Sequence, residues 1–122
     1  MISREQAHSI FTRAKKLSSA DEVEVLIGGG SSALTRFANN TIHQNVADEN
    51  HFISVRVAFG QQTARATTNK FDDESLKNVV AASEALARVQ PEDSDLLPLP
   101  GADEDARSSK DRVSRHFPAT AE

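Results

Sequence analysis

The sequence predicts an α+β fold: an antiparallel four- to five-stranded sheet, arranged as a meander, with two helices packed on one face. Apolar residues recur at helical spacing near both ends of residues 3–90. Between these two segments the pattern changes to alternation of apolar and polar residues, which is typical of strands. Because helices and strands do not alternate along the chain, the order is helix, strands, helix, and two layers are expected rather than a doubly wound parallel sheet.

The first helix is expected to begin after Ser3, because Ser3 and Gln6 have the spacing of a capping box. The apolar residues that would share its buried face are Ala7, Ile10, Phe11, Ala14 and Leu17. Alternation from Val23 to Ile27 then predicts a strand with one largely polar face. We expect the run Gly28-Gly29-Gly30-Ser31 to end this strand in a flexible turn.

Residues 34–69 predict the rest of the meander. The strand at 34–37 leads into Asn39-Asn40, a pair that tolerates the left-handed conformations of a tight hairpin turn. The other expected elements are a strand at 41–46, a turn at 48–50, a strand at 51–59, a turn at 60–62 and a strand at 63–68.

A second helix is expected to begin at Asp72 or Asp73, both good N-caps, and to end before Pro91. Its buried residues are predicted to be Leu76, Val79, Val80, Ser83, Leu86 and Ala87. Residues 1–90 would then form the α+β domain. Residues 91–122, acidic and rich in proline, are interpreted as a linker or arm leading to a C-terminal domain.

Composition excludes several classes of function. The chain has 122 residues, a net charge of −4 and no cysteine, tryptophan or tyrosine. One domain is expected, without disulfides or thiolate metal sites. The negative charge lies in residues 91–122, so the body lacks the basic surface expected of a nucleic-acid binder. The first residues, 1–6, lack the basic start and apolar run of a signal peptide, and no apolar segment approaches membrane-spanning length, so we expect a soluble, cytoplasmic protein that does not bind membranes.

The residues that could carry chemistry do not form a complete catalytic site. No histidine is followed by glutamate, so the zinc-binding His-Glu-x-x-His helix is absent, and no serine lies in a nucleophile elbow. His43 and His51 could meet across a hairpin and share a metal ion with Asp48 or Glu49, but two surface histidines near a turn are the simpler interpretation. Arg36 and Arg56 could clamp a carboxylate. They could equally pair across strands with Glu22 or Glu24. No catalytic or metal-binding residue is assigned.

Two stretches of the sequence resemble a known family. The segments "LTRFANNTIHQN" and "ISVRVAFGQQTARATTN", followed by a helix with an acidic cap, are similar to the N-terminal domain of the TldD/PmbA metallopeptidases, also called modulators of DNA gyrase. The resemblance covers about residues 5–98. It implies a soluble zinc peptidase that degrades peptides and unfolded proteins as a homodimer or as a heterodimer with a paralogue. The zinc ligands of that family lie in its C-terminal half, so no cofactor is expected in this chain.

The resemblance also indicates candidate substrate-binding residues in the hairpin, namely Arg36, Asn39, Asn40, His43 and Gln44, and Arg56 is added to them as a possible part of the carboxylate clamp. The hairpin residues could line the path of a peptide, or they could fix the hairpin through hydrogen bonds to its backbone. The function implied is that of a non-catalytic N-terminal domain that contributes to the substrate chamber or to dimer assembly. The alternatives are a free-standing module that binds a peptide or a partner, and a small-molecule enzyme in which Arg36, Arg56 and His43 converge.

Overall fold

The computed structural model describes residues 2–101 and Ala119, and here two helices cover one face of a three-stranded antiparallel sheet. The elements in chain order are helix α1 (Arg4–Leu17), strands β1 (Glu22–Ala38), β2 (Thr41–Phe59) and β3 (Gln62–Thr68), and helix α2 (Asp73–Val89). The strands lie side by side in the order β1-β2-β3. The α+β class is confirmed, and the helix-strands-helix order agrees with the prediction.

The predicted number of strands, four to five, is wrong, because two expected turns do not exist. The Gly28-Gly29-Gly30 run lies inside β1, opposite Phe52, His51 and Asn50. The expected turn at 48–50 lies inside β2 for the same reason. Both segments have turn-forming residues, but each finds its hydrogen-bonding partner in the other. Pairing between strands therefore overrides the local preference, and one long hairpin replaces the three that were expected between residues 23 and 59.

Both helices begin as their sequences predict. In α1 the backbone N–H of Gln6 donates to Ser3 Oγ at 3.1 Å, and the Ser3 N–H donates to Gln6 Oε1 at 2.8 Å, which completes the capping box. In α2 the Ser75 N–H donates to Asp72 Oδ2 at 2.9 Å. This bond and a second one from the Ser75 hydroxyl hold the pKa of the Asp72 carboxyl below its ordinary value.

The core lies between the helices and the odd-numbered residues of β1 and β2. We call this side of the sheet the helix-covered face and the other side the open face. The buried cluster consists of Ile10, Ala14, Ile53, Val55, Val57, Leu76, Val79, Val80 and Ala87. Phe11, Leu17 and Leu86, which were expected on the buried stripes, are exposed instead. They lie at the margins of the stripes, which the narrow sheet does not reach.

Glu84 of α2 holds the segment between α1 and β1 through hydrogen bonds. Its carboxylate accepts hydrogen bonds from Ser18 Oγ and from the Ser19 N–H, both at 2.7 Å, and from Ser19 Oγ at 3.2 Å. Partial burial raises the pKa of the Glu84 carboxyl, but these hydrogen bonds outweigh burial and leave the pKa below its ordinary value. The charged form of Glu84 therefore stabilises the fold.

The chain after α2 crosses the end of the sheet. The Asp93 N–H donates to the Gln61 carbonyl at 2.9 Å, and the Leu99 N–H donates to Glu22 Oε1 at 3.1 Å. Leu96 and Leu99 are half-buried there, whereas Leu97 is exposed. The rest of the segment interpreted as a linker, residues 102–118 and 120–122, lies outside the described residues. In the described part, neither helix is long and apolar enough to cross a membrane.

We predict that Glu84→Ala lowers the free energy of unfolding by about 1–2 kcal/mol at neutral pH, because three donors lose a charged acceptor. A group whose folded-state pKa is lowered contributes fully above its unfolded value, here 4.5. The difference between variant and wild type should therefore shrink as the pH falls through the folded-state pKa of Glu84. Urea denaturation across this pH range measures it.

Glu92→Ala is the matched control for this change, because Glu92 is exposed and has no hydrogen bond or ion pair among the described residues. It should leave the free energy of unfolding almost unchanged. A loss of stability in Glu84→Ala that persists undiminished in acid would contradict the role assigned to the carboxylate.

Candidate functional site

The candidate site lies on a part of the β1–β2 hairpin that projects beyond the helices. We call residues 29–50 the distal hairpin; every one of them is exposed. Pairing with β3 ends at Ile53, so the distal hairpin is a two-stranded ribbon. At about 3.3 Å per residue, it reaches roughly 35 Å from the sheet.

The tip of the distal hairpin is a two-residue turn. Asn39 and Asn40 both have positive φ, 49° and 58°. Two successive left-handed residues are what a tight hairpin of this twist requires, and asparagine adopts them more easily than residues with larger side chains. Arg36 opposes Gln44 and Phe37 opposes Ile42, so His43 is an extra residue in a β-bulge. The predicted turn is present, and it gives the asparagines a conformational role.

The structure brings five of the six predicted site residues together. Arg36, Asn39, Asn40, His43 and Gln44 all lie near this tip. Arg56 does not, because it lies in the body of the sheet, opposite Glu24. Glu24 and Arg36 are twelve positions apart on β1, which corresponds to about 40 Å. Arg36 and Arg56 therefore cannot hold one carboxylate together, and His43 and His51, on a single strand, do not face each other across a turn.

The open face of the sheet has a polar cluster that the sequence did not indicate. Arg65 of β3 forms an ion pair with Glu24 of β1 and donates from Nη1 to Ser54 Oγ at 3.0 Å. Thr67 Oγ1 donates to the same hydroxyl at 3.0 Å. Arg65, not Arg36 or Arg56, is thus the arginine that pairs with this acid. The Nε of Arg56, between them, is buried and has no hydrogen-bond partner among the described residues.

Exposed apolar side chains are the main feature of the distal hairpin. Phe37 and Ile42 oppose each other and are 74% and 66% exposed, and Leu34 and Val46 oppose each other and are 49% and 41% exposed. Because side chains alternate along a strand, the first pair projects from the helix-covered face and the second from the open face. The ribbon therefore presents apolar surface on both sides. Our sequence interpretation missed this, although the apolar residues were visible in a segment without a covering helix.

A cavity of about 250 Å³ lies where the distal hairpin meets α1. It is lined by Ile2, Ala7, Ile27, the three glycines of β1, Glu49 and His51. His51 Nε2 is 3.4 Å from Glu49 Oε1, and its ring packs edge-on against Phe71. Within residues 2–101, no three histidine, aspartate or glutamate side chains are grouped so that they could hold a metal ion.

Comparison with known proteins agrees with this architecture. The model of the PmbA/TldA metallopeptidase domain 1 matches residues 23–87, more than half of the chain. The chain belongs to this family. The match includes most of the sheet, the whole distal hairpin and most of α2, so it confirms the family resemblance seen in the sequence.

One solved structure shows the same fold. TldE from Thermococcus kodakarensis superposes with a TM-score of 0.65 at 15% sequence identity, over 77% of this chain and 21% of the TldE chain. The present chain therefore spans about a fifth of the TldE chain. A search of curated protein sequences gives no match.

We predict that Gly29→Ala loosens the distal hairpin of this PmbA/TldD domain. A Cβ at Gly29 would lie 2.5 Å from the Asn50 carbonyl oxygen and 2.7 Å from His51 Cδ2, so the two strands would have to separate. Overpacking of this kind costs about 1–3 kcal/mol. The amides of the surrounding pairs should exchange with solvent about 5- to 150-fold faster than in the wild type, as measured by hydrogen exchange.

Gly30→Ala is the control, because a Cβ at Gly30 meets no heavy atom within 4 Å. Both variants lose the conformational freedom of one glycine in the unfolded chain, so their difference isolates the close approach of β2. Equal exchange rates in the two variants would show that the strands are not packed as described at Gly29.

Proposed function

We propose that the chain is a non-catalytic assembly domain of a TldD/PmbA-like zinc metallopeptidase, and that its distal hairpin contacts another chain of the family. The observation that carries the proposal is the uncovered apolar surface on both faces of the distal hairpin. The family membership supplies the context. Zinc and the catalytic groups lie elsewhere in the enzyme, and the present chain contributes structure and contacts to the proteolysis of peptides and unfolded proteins in the cytoplasm.

The stability of the distal hairpin supports an assembly role. An isolated two-stranded ribbon is at best marginally stable in water, because neither face is packed against a second layer. Phe37, Ile42, Leu34 and Val46 would lose contact with water if another chain covered the ribbon. Exposed apolar groups on this scale mark interaction surfaces in soluble proteins. A covering chain would supply both the missing layer and the stability.

The polar residues near the tip have two roles in this proposal. Asn39 and Asn40 shape the turn, since both have positive φ. Arg36, His43 and Gln44 are free of that constraint and supply polar contacts to a substrate peptide inside the chamber of the assembled enzyme. Arg56 lies about 40 Å from Arg36 and does not belong to the same contact.

Sedimentation of the purified chain tests the proposal. We predict that the wild type associates as its concentration rises. The double change Phe37→Ser with Ile42→Ser should weaken association at least about tenfold, since it removes two exposed apolar side chains from the proposed contact. The same preparations should bind no stoichiometric zinc and should not hydrolyse peptides.

Leu97→Ser is the matched control, because Leu97 is 79% exposed and lies outside the distal hairpin. It should associate like the wild type. Association that is insensitive to the double change, or a wild type that stays monomeric, would contradict the assembly role. Cleavage of peptides that is abolished by a chelator and co-purifies with the chain would contradict the non-catalytic role.

A further inference from the structure

We propose that β1 is a self-pairing strand: its free edge hydrogen-bonds to the same edge of a second copy of the chain, antiparallel, with Gly30 on the two-fold axis. The inference rests on the proposed function, because it identifies the surface and the partner through which the domain assembles. It follows from three features of β1: an open edge, a symmetric register and an adjoining cleft.

In the part of the chain that the structure describes, no strand pairs with the outer edge of β1, although the segment after α2 reaches its first residue, where the Leu99 N–H donates to Glu22 Oε1. Within residues 2–101, β1 pairs only with β2, so one row of its backbone groups has no strand beside it. The strand is 17 residues long, whereas strands usually have 3–10. Edge strands are normally protected from association by proline, lysine or bulges. Between Val25 and Phe37, β1 has no proline or lysine, and the bulge falls on β2 at His43.

One register matches β1 to itself over its full length. Gly30 is the middle residue of Glu22–Ala38, so a two-fold axis at Gly30 opposes every residue of β1 to a residue of the second copy. On the open face, Leu26 then opposes the second copy's Leu34, and Arg36 comes next to the ion pair that Glu24 of the second copy forms with Arg65. The two leucines are 52% and 49% exposed in the single chain, and symmetry makes each contact twice.

Neighbouring registers lose this complementarity. With the axis at Gly29, Leu34 would oppose Glu24 of the second copy, and Leu26 would oppose Ser32. With the axis at Ser31, Arg36 would oppose Leu26. With the axis at Gly29, Arg36 would still oppose a glutamate, Glu22, but of these three registers only the one centred on Gly30 joins leucine to leucine, a pair that removes apolar surface from water.

The helix-covered face offers space for the second copy. An open cleft of about 440 Å³ lies between α1 and the edge of β1, lined by Arg4, Ala7, His8, Phe11, Val25, Leu26 and Ile27. In the proposed register, the second copy's Ala33 and Thr35 oppose Ile27 and Val25. Small side chains would thus enter next to this cleft. The second copy's Phe37 would oppose Val23 and lose part of its exposure.

Disulfide trapping tests the register directly, because the chain has no cysteine of its own. We predict that Gly30→Cys forms a covalent dimer under mild oxidation, since a residue on the axis meets its own copy within the roughly 4.4–6.8 Å between Cα atoms that a disulfide needs. A side chain at Gly30 meets no atom of its own chain within 4 Å, so the fold should accept it.

Mixing two cysteine variants distinguishes this register from non-specific contact between chains. Leu26→Cys mixed with Leu34→Cys should give the covalent heterodimer. Neither variant alone should dimerise, because in this register each residue is eight positions, about 26 Å, from its own copy. Leu97→Cys, exposed but away from β1, reports the rate of random collision.

The inference is overturned if Gly30→Cys links no faster than Leu97→Cys, or if Leu26→Cys alone links as well as the mixture does. Association that depends on Phe37 and Ile42 but gives no such cross-links would leave the assembly role standing and remove the self-pairing of β1. Cover of the edge by another part of the chain would likewise appear as absent cross-links.

Discussion

The hydrogen-bonded pairing of β1 with β2 is the interaction on which the rest of the structure depends. It runs without a break from Glu22 opposite Ala58 to the turn at Asn39-Asn40, with a single bulge at His43. Near the helices, it places alternate valines and isoleucines of both strands under α1 and α2. Farther from the helices, the two strands continue to pair in the same register. There, no other element among the described residues covers them. A core and a projecting ribbon thus result from one continuous hairpin.

The parts of the fold that were predicted from sequence depend on local interactions. The capping box of Ser3 with Gln6, the N-cap at Asp72 and the turn at Asn39-Asn40 each involve residues a few positions apart, so their spacing contains the information. The number of strands was not predicted, because Gly28-Gly29-Gly30 and residues 48–50 have the composition of turns. Only the opposite strand, with Phe52 against Gly28 and His51 against Gly29, shows why side chains are missing at these two positions.

The same distinction between local interactions and contacts between distant strands applies to the candidate site. The tip residues from Arg36 to Gln44 lie near one another because they are contiguous in a hairpin, whose turn the sequence predicts. The ion pair of Glu24 with Arg65 spans β1 and β3, across the whole sheet, and no sequence spacing indicates it. The exposure of Phe37 and Ile42 was missed, although both residues lie in a segment to which the sequence assigns no covering helix. Alternation tells which side chains share a face of a strand, but it does not tell whether another layer covers that face.

The most direct test of this account is a solution NMR measurement of contacts across the distal hairpin. If β1 and β2 are paired through the glycine run, cross-strand nuclear Overhauser effects should join Gly29 with His51, Ser31 with Glu49 and Ala33 with Ala47, since opposed residues of paired strands lie about 4.5–5.5 Å apart. Effects that join Val25 with Val55 but are absent beyond Gly28 would contradict the account. They would show that β1 ends at the glycines and that the projecting hairpin does not exist.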